Sequence, residues 1–171
     1  MAMFLISLAL AAVAAEAPPT QAACPATSVG LPAELASWST PQPLAAAKSA
    51  DATSGATLTL GQAADLALSP TPDMRYAIRP SRPGGSVSHG GMAQFTVAKA
   101  GTYRVVIDGA AWLDVIADAK SLESVSHGHG PDCSGIRKMV DFKLVPGRYL
   151  LQIAGNGAPK VRVLVTSVPA A

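Results

Sequence analysis

The segment His127-Gly128-His129-Gly130-Pro131-Asp132-Cys133 holds the residues of this chain best suited to chemistry. Imidazole and thiolate groups are protein ligands for transition metals such as zinc, copper and iron. Glycine and proline separate these side chains, so the segment is predicted to be an exposed loop with neither helix nor regular strand. In such a loop both imidazoles can turn toward one centre. The spacing therefore predicts a metal site with His127 and His129 as ligands.

Other side chains could complete or modify that site. His89 lies in a second glycine-flanked segment, residues 86–91, and would supply a third ligand if both segments met at one end of the domain. Asp132 would add a carboxylate, or would only initiate a turn after the preceding proline. Arg137 and Lys138 form either a solvated strand start or a contact for an anionic ligand. The alternative is that the histidines are independent surface residues that bind nothing.

The N-terminal residues indicate export. An apolar run from Met3 to Val13 precedes small residues and a proline pair, which predicts a signal peptide over residues 1–17. The run is shorter than the roughly 20 residues that a helix needs to cross a bilayer, and no later segment is long and apolar enough. We therefore expect a periplasmic or secreted protein with no membrane span in the mature chain.

Cys24 and Cys133 are the two cysteines of the chain. In an oxidising compartment they could form a disulfide that joins the N-terminal segment to the histidine segment. Closing so large a loop would stabilise the fold by roughly 4–5 kcal/mol in the chain-entropy model. If both stay reduced, Cys133 joins the possible metal ligands. The sequence leaves both states open.

Composition and motifs argue against several classes of function. The 13 basic side chains are scattered and nearly balanced by 11 acidic ones, so nucleic-acid binding has no support. No Gly-x-Ser-x-Gly elbow occurs, and no phosphate-binding glycine loop precedes a helix. The expected partner is a metal ion or an unidentified periplasmic protein.

Apolar and polar residues alternate through most of the chain after Gly55. Residues 18–55 are rich in Ala, Pro and Ser and are predicted to form a mostly irregular leader, with one short helical stretch from Leu31 to Trp38. Residues 56–168 are predicted to form an antiparallel β-sandwich or jelly roll of about eight or nine strands, because short alternating runs are separated by glycine and proline turns. The expected strands are residues 57–60, 66–68, 76–78, 94–97, 103–107, 112–116, 138–144, 149–153 and 160–165.

A weak internal repeat lies within these strands. One copy starts at Phe95 and reaches Tyr103 through a Gly-x-Tyr turn, and the other starts at Phe142 and reaches Tyr149 in the same way. The repeat predicts two β-hairpins of similar design. Each tyrosine is expected to pack against the sheet, with its hydroxyl bonded at the sheet edge.

Over residues 93–168 this pattern resembles the jelly-roll modules of the pre-peptidase C-terminal type, which are appended to secreted bacterial proteases. That resemblance implies a domain that binds calcium, carbohydrate or protein rather than a catalyst. The aspartate-rich calcium turn of those modules is missing, because Asp108, Asp114 and Asp118 are spread along the chain. The chain is also similar to small exported proteobacterial proteins of unknown function, some of which carry a homogentisate 1,2-dioxygenase label.

A ring-cleaving dioxygenase needs two histidines and one carboxylate around non-haem iron. His127 and His129 resemble the opening of the cupin metal motif, but Asp132 stands where that motif has glutamate, and His89 lies upstream instead of downstream. Three hypotheses follow from the sequence. The first is a non-catalytic metal-binding module, the second an iron dioxygenase, and the third a structural or protein-interaction module without metal.

Overall fold

The computed structural model describes Cys24 and residues 30–169. The predicted signal peptide and most of residues 18–29 lie outside this range. In the part described, no helix is long and apolar enough to cross a membrane.

Within the described residues, eleven strands form two sheets. The strands are β1 (Gln42–Ala45), β2 (Ala64–Ala67), β3 (Ser69–Pro70), β4 (His89–Val97), β5 (Gly101–Ile107), β6 (Trp112–Ala117), β7 (Lys120–Ser121), β8 (Ser126–Gly128), β9 (Lys138–Leu144), β10 (Gly147–Asn156) and β11 (Lys160–Ser167). Three short 3-10 helices, Ala33–Ser39, Ala50–Gly55 and Thr71–Asp73, precede β4 in the part of the chain that is described.

The two sheets make an all-β sandwich, as predicted. One sheet has the order β1-β2-β11-β5-β9-β8, and the other has the order β3-β4-β10-β6-β7. The quartets β2-β11-β5-β9 and β4-β10-β6-β7 have the strand order of a jelly roll. All ladders between named strands are antiparallel except that between β1 and β2, which is parallel.

The core lies between the sheets and is built from alternate residues of the long strands. Rows such as Val105 and Ile107 on β5, or Leu151 and Ile153 on β10, are buried because successive side chains of a strand point to opposite faces. Aromatic content is low, so valine, leucine, isoleucine and alanine fill most of this space.

The two halves of the internal repeat are not hairpins, and that prediction was wrong. β4 and β5 lie in different sheets, and so do β9 and β10, so each Gly-x-Tyr turn crosses from one sheet to the other. The copies instead pair with each other: Tyr149 lies opposite Phe95 in one sheet, and Tyr103 lies opposite Phe142 in the other. The predicted hydroxyl bonds are confirmed.

Those hydroxyl bonds close the two crossing turns. The Tyr103 hydroxyl donates to the Lys99 carbonyl at 2.9 Å, and the Tyr149 hydroxyl donates to the Val145 carbonyl at 2.8 Å. Each bond spans four residues, so both turns have the same internal tie. The internal repeat in the sequence therefore corresponds to two similar arches that cross between the sheets.

The described part of the expected leader is more ordered than its composition suggests. Residues 42–45 form β1 at the edge of the six-stranded sheet, and the stretch predicted to be helical forms the 3-10 helix Ala33–Ser39. Trp38 is buried on the outer face of that sheet, beside Val106 and Leu164, so the 3-10 helix is docked on the domain through this side chain. β1 forms through backbone hydrogen bonds to β2, and its side chains do not show the alternation by which a strand is predicted.

Two segments predicted as strands are not strands. In residues 57–60 only Thr57 forms a bridge, an isolated one to Gln94. Residues 76–78 cross the outer face of the five-stranded sheet, where the buried Gln152 accepts a hydrogen bond from the Ala77 amide at 2.9 Å. In both segments apolar and polar residues alternate because one side of the segment packs on the domain. A loop that covers a sheet can show this alternation as well as a strand.

Candidate functional site

A cleft of about 610 Å³ opens on one side of the sandwich. It lies where β7 ends the five-stranded sheet and β8 ends the six-stranded one. We call it the lateral cleft, and its lining residues are Ala110, Trp112, Leu113, Asp114, Ser121, Leu122, Ser124, His127, Gly128, His129, Arg137, Lys138, Val140 and Phe142. The cleft thus brings together the histidine pair and the basic pair that the sequence singled out.

Strand periodicity places the polar lining. Lys138 lies two residues before the buried Val140 and four before the buried Phe142 on β9. Alternate side chains of a strand share a face, so the Lys138 side chain points toward the space between the sheets. His127 lies opposite Val140 in the β8–β9 ladder, which puts its side chain on that same face. The lateral cleft is therefore the polar mouth of the apolar core.

The strand at His127 corrects the prediction of a loop without regular structure. β8 spans Ser126–Gly128 and pairs with β9, because an edge strand needs backbone partners on one side only and tolerates glycine. The irregular loop begins after it. The expected exposure is confirmed, since both His127 and His129 are exposed.

His129 is held at the base of the loop between β8 and β9. Its Nδ1 lies 2.9 Å from the Arg137 carbonyl, which accepts a hydrogen bond when Nδ1 carries the proton. That bond leaves Nε2 free to meet a ligand. Gly130 follows at a point where an added Cβ would overlap the Ile136 side chain, so only glycine fits this close approach.

Lys138 spans the mouth of the cleft. Its Nζ donates to the Ala111 carbonyl at 2.5 Å, which links β9 of one sheet to the residue before β6 of the other. The pKa of Lys138 lies below its ordinary value, because desolvation disfavours the charged form and the guanidinium groups of Arg82 and Arg137 add positive charge. Among the described residues no carboxylate forms an ion pair with Lys138.

Arg82 adds a further positive charge beside the cleft. Its guanidinium carbon lies 5.8 Å from the centroid of the Trp112 ring, in a cation–π arrangement. Trp112 is only partly buried and lines the cleft. Its position at the start of β6, where β7 does not cover the strand edge, explains this exposure.

Asp114 is the only carboxylate of the lining, and it is already engaged. It accepts hydrogen bonds from the Trp112 indole at 3.1 Å, from the Ser121 hydroxyl at 2.9 Å and from the Gln152 amide at 3.4 Å. These donors neutralise part of its charge toward the cleft. The cleft therefore presents a net positive face above apolar side chains.

The structure does not bring His89 or Asp132 to the histidine pair. His89 begins β4, which is separated from β6 by β10, and Asp132 is exposed in the turn that follows Pro131. Neither lines the lateral cleft. Within Cys24 and residues 30–169, no three His, Cys, Asp or Glu side chains form a group that could hold a metal. Of the four predicted ligands, only His127 and His129 line the same cleft.

Cys24 and Cys133 form a disulfide, with their Cα atoms 5.4 Å apart. Cys133 is thereby removed from the possible metal ligands. The bond fixes the N-terminal segment to the tip of the loop between β8 and β9. Nearby, the Trp38 indole donates to the Ser134 carbonyl at 3.1 Å, so the same loop is tied to the 3-10 helix Ala33–Ser39 as well.

Sequence reasoning missed Trp112, Asp114 and Leu122 as lining residues. The first two alternate with core residues on β6, and such a pattern is equally typical of a strand with an ordinary covered face. Their role depends on how far β7 extends along β6, which only the fold shows. No protein-family model and no curated protein matches this chain.

Proposed function

We propose that this chain is an exported, non-catalytic binding module that holds a small organic anion in the lateral cleft. One observation carries the proposal: Arg137 and Lys138 line the cleft together with apolar side chains, and Asp114, the one carboxylate of the lining, already accepts three hydrogen bonds. Cations above apolar side chains suit an anionic head on an apolar body. Export is supported by the disulfide, which is typical of oxidising compartments.

The ligand class follows from the two parts of the cleft. Leu113, Val140 and Phe142 offer apolar contact, and Trp112 offers an aromatic face. A volume of about 610 Å³ suits a molecule of one or two rings. We therefore expect an aromatic carboxylate, with its carboxylate group toward Arg137 and Lys138.

Calorimetric titration at low ionic strength tests this proposal with three matched ligands. The probe is 2-naphthoate, and its controls are the uncharged naphthalene-2-methanol and the cationic 2-naphthylmethylammonium. We expect a Kd of about 0.1–1 mM for the carboxylate, the range for a small ligand with one charged contact. The alcohol should bind more weakly and the ammonium not measurably. Equal affinity for the carboxylate and the ammonium would overturn the proposal.

A matched pair of variants locates the binding. Arg137→Gln removes a cation of the cleft and should weaken naphthoate binding about three- to tenfold. Arg148→Gln removes another exposed cation, on β10 and outside the cleft, and should leave the affinity unchanged. An equal loss in both variants would show that net charge rather than the cleft attracts the anion.

Metal binding is the second candidate function, because His127 and His129 both line the lateral cleft and lie two residues apart in the sequence. Two imidazoles are fewer protein ligands than zinc or a non-haem iron oxygenase uses, so further ligands would have to come from the bound anion or from water. Elemental analysis of protein isolated without chelator, followed by zinc, copper and ferrous titrations, tests it. A stoichiometric metal lost in His127→Ala/His129→Ala would support it, and no metal above background would contradict it.

The iron-dioxygenase hypothesis makes a stricter demand. It requires a carboxylate beside both imidazoles, and the carboxylate of the cleft, Asp114, is hydrogen-bonded to three protein donors. Ferrous-dependent oxygen uptake with an aromatic diol would support that hypothesis. No uptake by an iron-loaded sample would contradict it and leave the binding module.

A further inference from the structure

We infer that Lys138 is a covalent binding site for aldehydes or ketones that carry an acidic group, with its Nζ forming an imine in the lateral cleft. The inference rests on the proposed anion site, because the same cations would hold the acidic group of the ligand. It goes further by assigning a bond-forming role to one amine.

The position of Lys138 separates it from every other lysine of the chain. The side chains of Lys48, Lys99, Lys120, Lys143 and Lys160 are on exposed residues, whereas Lys138 is partly buried. It stands in the core-facing row of β9 and opens onto a cleft with apolar walls. A carbonyl compound that entered the cleft would therefore meet an amine that is less exposed to solvent than any other lysine of the chain.

The surroundings also favour the reactive form of the amine. Nucleophilic attack needs the neutral amine, and lysines near other cations or in apolar sites release their proton more readily. Arg82 and Arg137 supply the positive charge, and the acceptor described for the Nζ is the uncharged Ala111 carbonyl rather than a carboxylate. Its pKa is correspondingly lowered.

The reaction balances without an oxidant or a reductant. The ammonium of Lys138 first releases a proton to solvent, and the free amine then attacks the carbonyl carbon of the ligand. The resulting carbinolamine loses its hydroxyl group as water, and a C=N bond replaces the C=O bond. Hydrolysis reverses the sequence, so the ligand is bound reversibly.

Reductive trapping in the full-length, disulfide-bonded protein tests the inference. The probe is 4-carboxybenzaldehyde with cyanoborohydride, which adds hydride to an imine and fixes the label, and benzaldehyde is the uncharged control. Peptide mass mapping then compares Lys138 with Lys143, an exposed lysine on the same strand. We expect Lys138 to carry the most label, with more label from the carboxylated aldehyde than from benzaldehyde. Labelling of Lys138 no greater than that of Lys143 would overturn the inference.

Variants separate this inference from the proposed function. Lys138→Arg keeps the positive charge, but arginine cannot be deprotonated in proteins and so cannot form the imine, and labelling at this position should fall at least about tenfold. Lys143→Arg is the matched control and should leave Lys138 labelling unchanged. Naphthoate binding without Lys138 labelling contradicts the imine alone. Equal labelling by both aldehydes, together with no naphthoate binding, contradicts the anion site on which the inference rests.

Discussion

At the scale of single residues, the negative charge of Asp114 works against the proposed binding of an anion. Asp114 is a lining residue of the lateral cleft, and its carboxylate accepts hydrogen bonds from Trp112, Ser121 and Gln152. The residue therefore stabilises β6 and weakens the positive field of the cleft. These two roles can be separated by substitution.

Asp114→Asn should bind 2-naphthoate about two- to fivefold more tightly at low salt, since it removes a negative charge close to the ligand. It should also lower the free energy of unfolding by about 1–3 kcal/mol, because an amide satisfies fewer of the three donors. Titration calorimetry and urea unfolding measure the two effects. Weaker naphthoate binding in the folded variant would contradict the proposed charge pattern.

Tyr103 and Tyr149 close the two sheet-crossing arches through their hydroxyl groups. Substituting them tests whether these hydrogen bonds stabilise the arches. The Tyr149 hydroxyl donates to the Val145 carbonyl and accepts from the Val145 amide at 3.1 Å. Tyr149→Phe should lower the free energy of unfolding by about 1–2 kcal/mol, with Tyr103→Phe close behind. Tyr76→Phe is the control, because the Tyr76 hydroxyl lies beside Gly90, outside both arches. A loss in Tyr76→Phe as large as in Tyr149→Phe would contradict this account.

At the scale of elements, an ion-pair network joins β2 to β11. Asp65 accepts from the Arg162 Nε at 2.8 Å and from the Lys160 Nζ at 3.2 Å. These bonds hold the pKa of Asp65 below its ordinary value, with Arg162 as the largest cause. Arg162 also donates to the Trp38 carbonyl at 3.1 Å, so the network reaches the 3-10 helix on the outer face.

The lowered pKa of Asp65 sets the direction of a pH dependence. The stabilisation is fully present above the ordinary aspartate pKa of about 3.9, and it is lost as the pH falls through the lower pKa of the folded state. Asp65→Asn should therefore flatten the decline of stability in acid relative to the parent chain. Thermal unfolding between pH 2 and pH 6 measures this. An unchanged acid slope would contradict the assignment.

The disulfide acts on the element that carries the histidines. It fixes the loop between β8 and β9 at Cys133, and the same loop carries His129, which is bonded to the Arg137 carbonyl. Reduction, or replacement of both cysteines by alanine, should lower the free energy of unfolding by about 2–5 kcal/mol. It should also weaken naphthoate binding, because His129 and Arg137 lose part of their anchoring. Thiol titration with thermal unfolding checks the first effect, and an undiminished melting temperature after full reduction would contradict it.

At the scale of the whole molecule, the sequence was a good guide to the fold class and a poor one to connectivity. Alternation in residues 103–107 and 149–153 predicts strands, because each row has one buried face. The same alternation fits a hairpin within one sheet and an arch between two sheets, so the paths at Gly101 and Gly147 could not be predicted. β1 was missed because its order comes from backbone pairing with β2.

The lateral cleft was only partly predictable for a related reason. Arg137, Lys138 and the two histidines are close in the sequence, and their residue types point to a polar site. Trp112 and Asp114 join them from β6, across the gap between the sheets, and that approach depends on the jelly-roll order. His89 was grouped with the other histidines by residue type alone, and the fold places it two strands away from β6.

The central claim is that a small organic anion binds in the lateral cleft, and the two tryptophans allow a direct test. Trp112 lines the cleft, whereas Trp38 is buried on the outer face of the six-stranded sheet. The measurement is the two indole N–H signals in a ¹⁵N–¹H NMR spectrum during titration with 2-naphthoate. We predict a saturable shift of the Trp112 signal and a constant Trp38 signal. A constant Trp112 signal, or equal shifts of both, would contradict the claim.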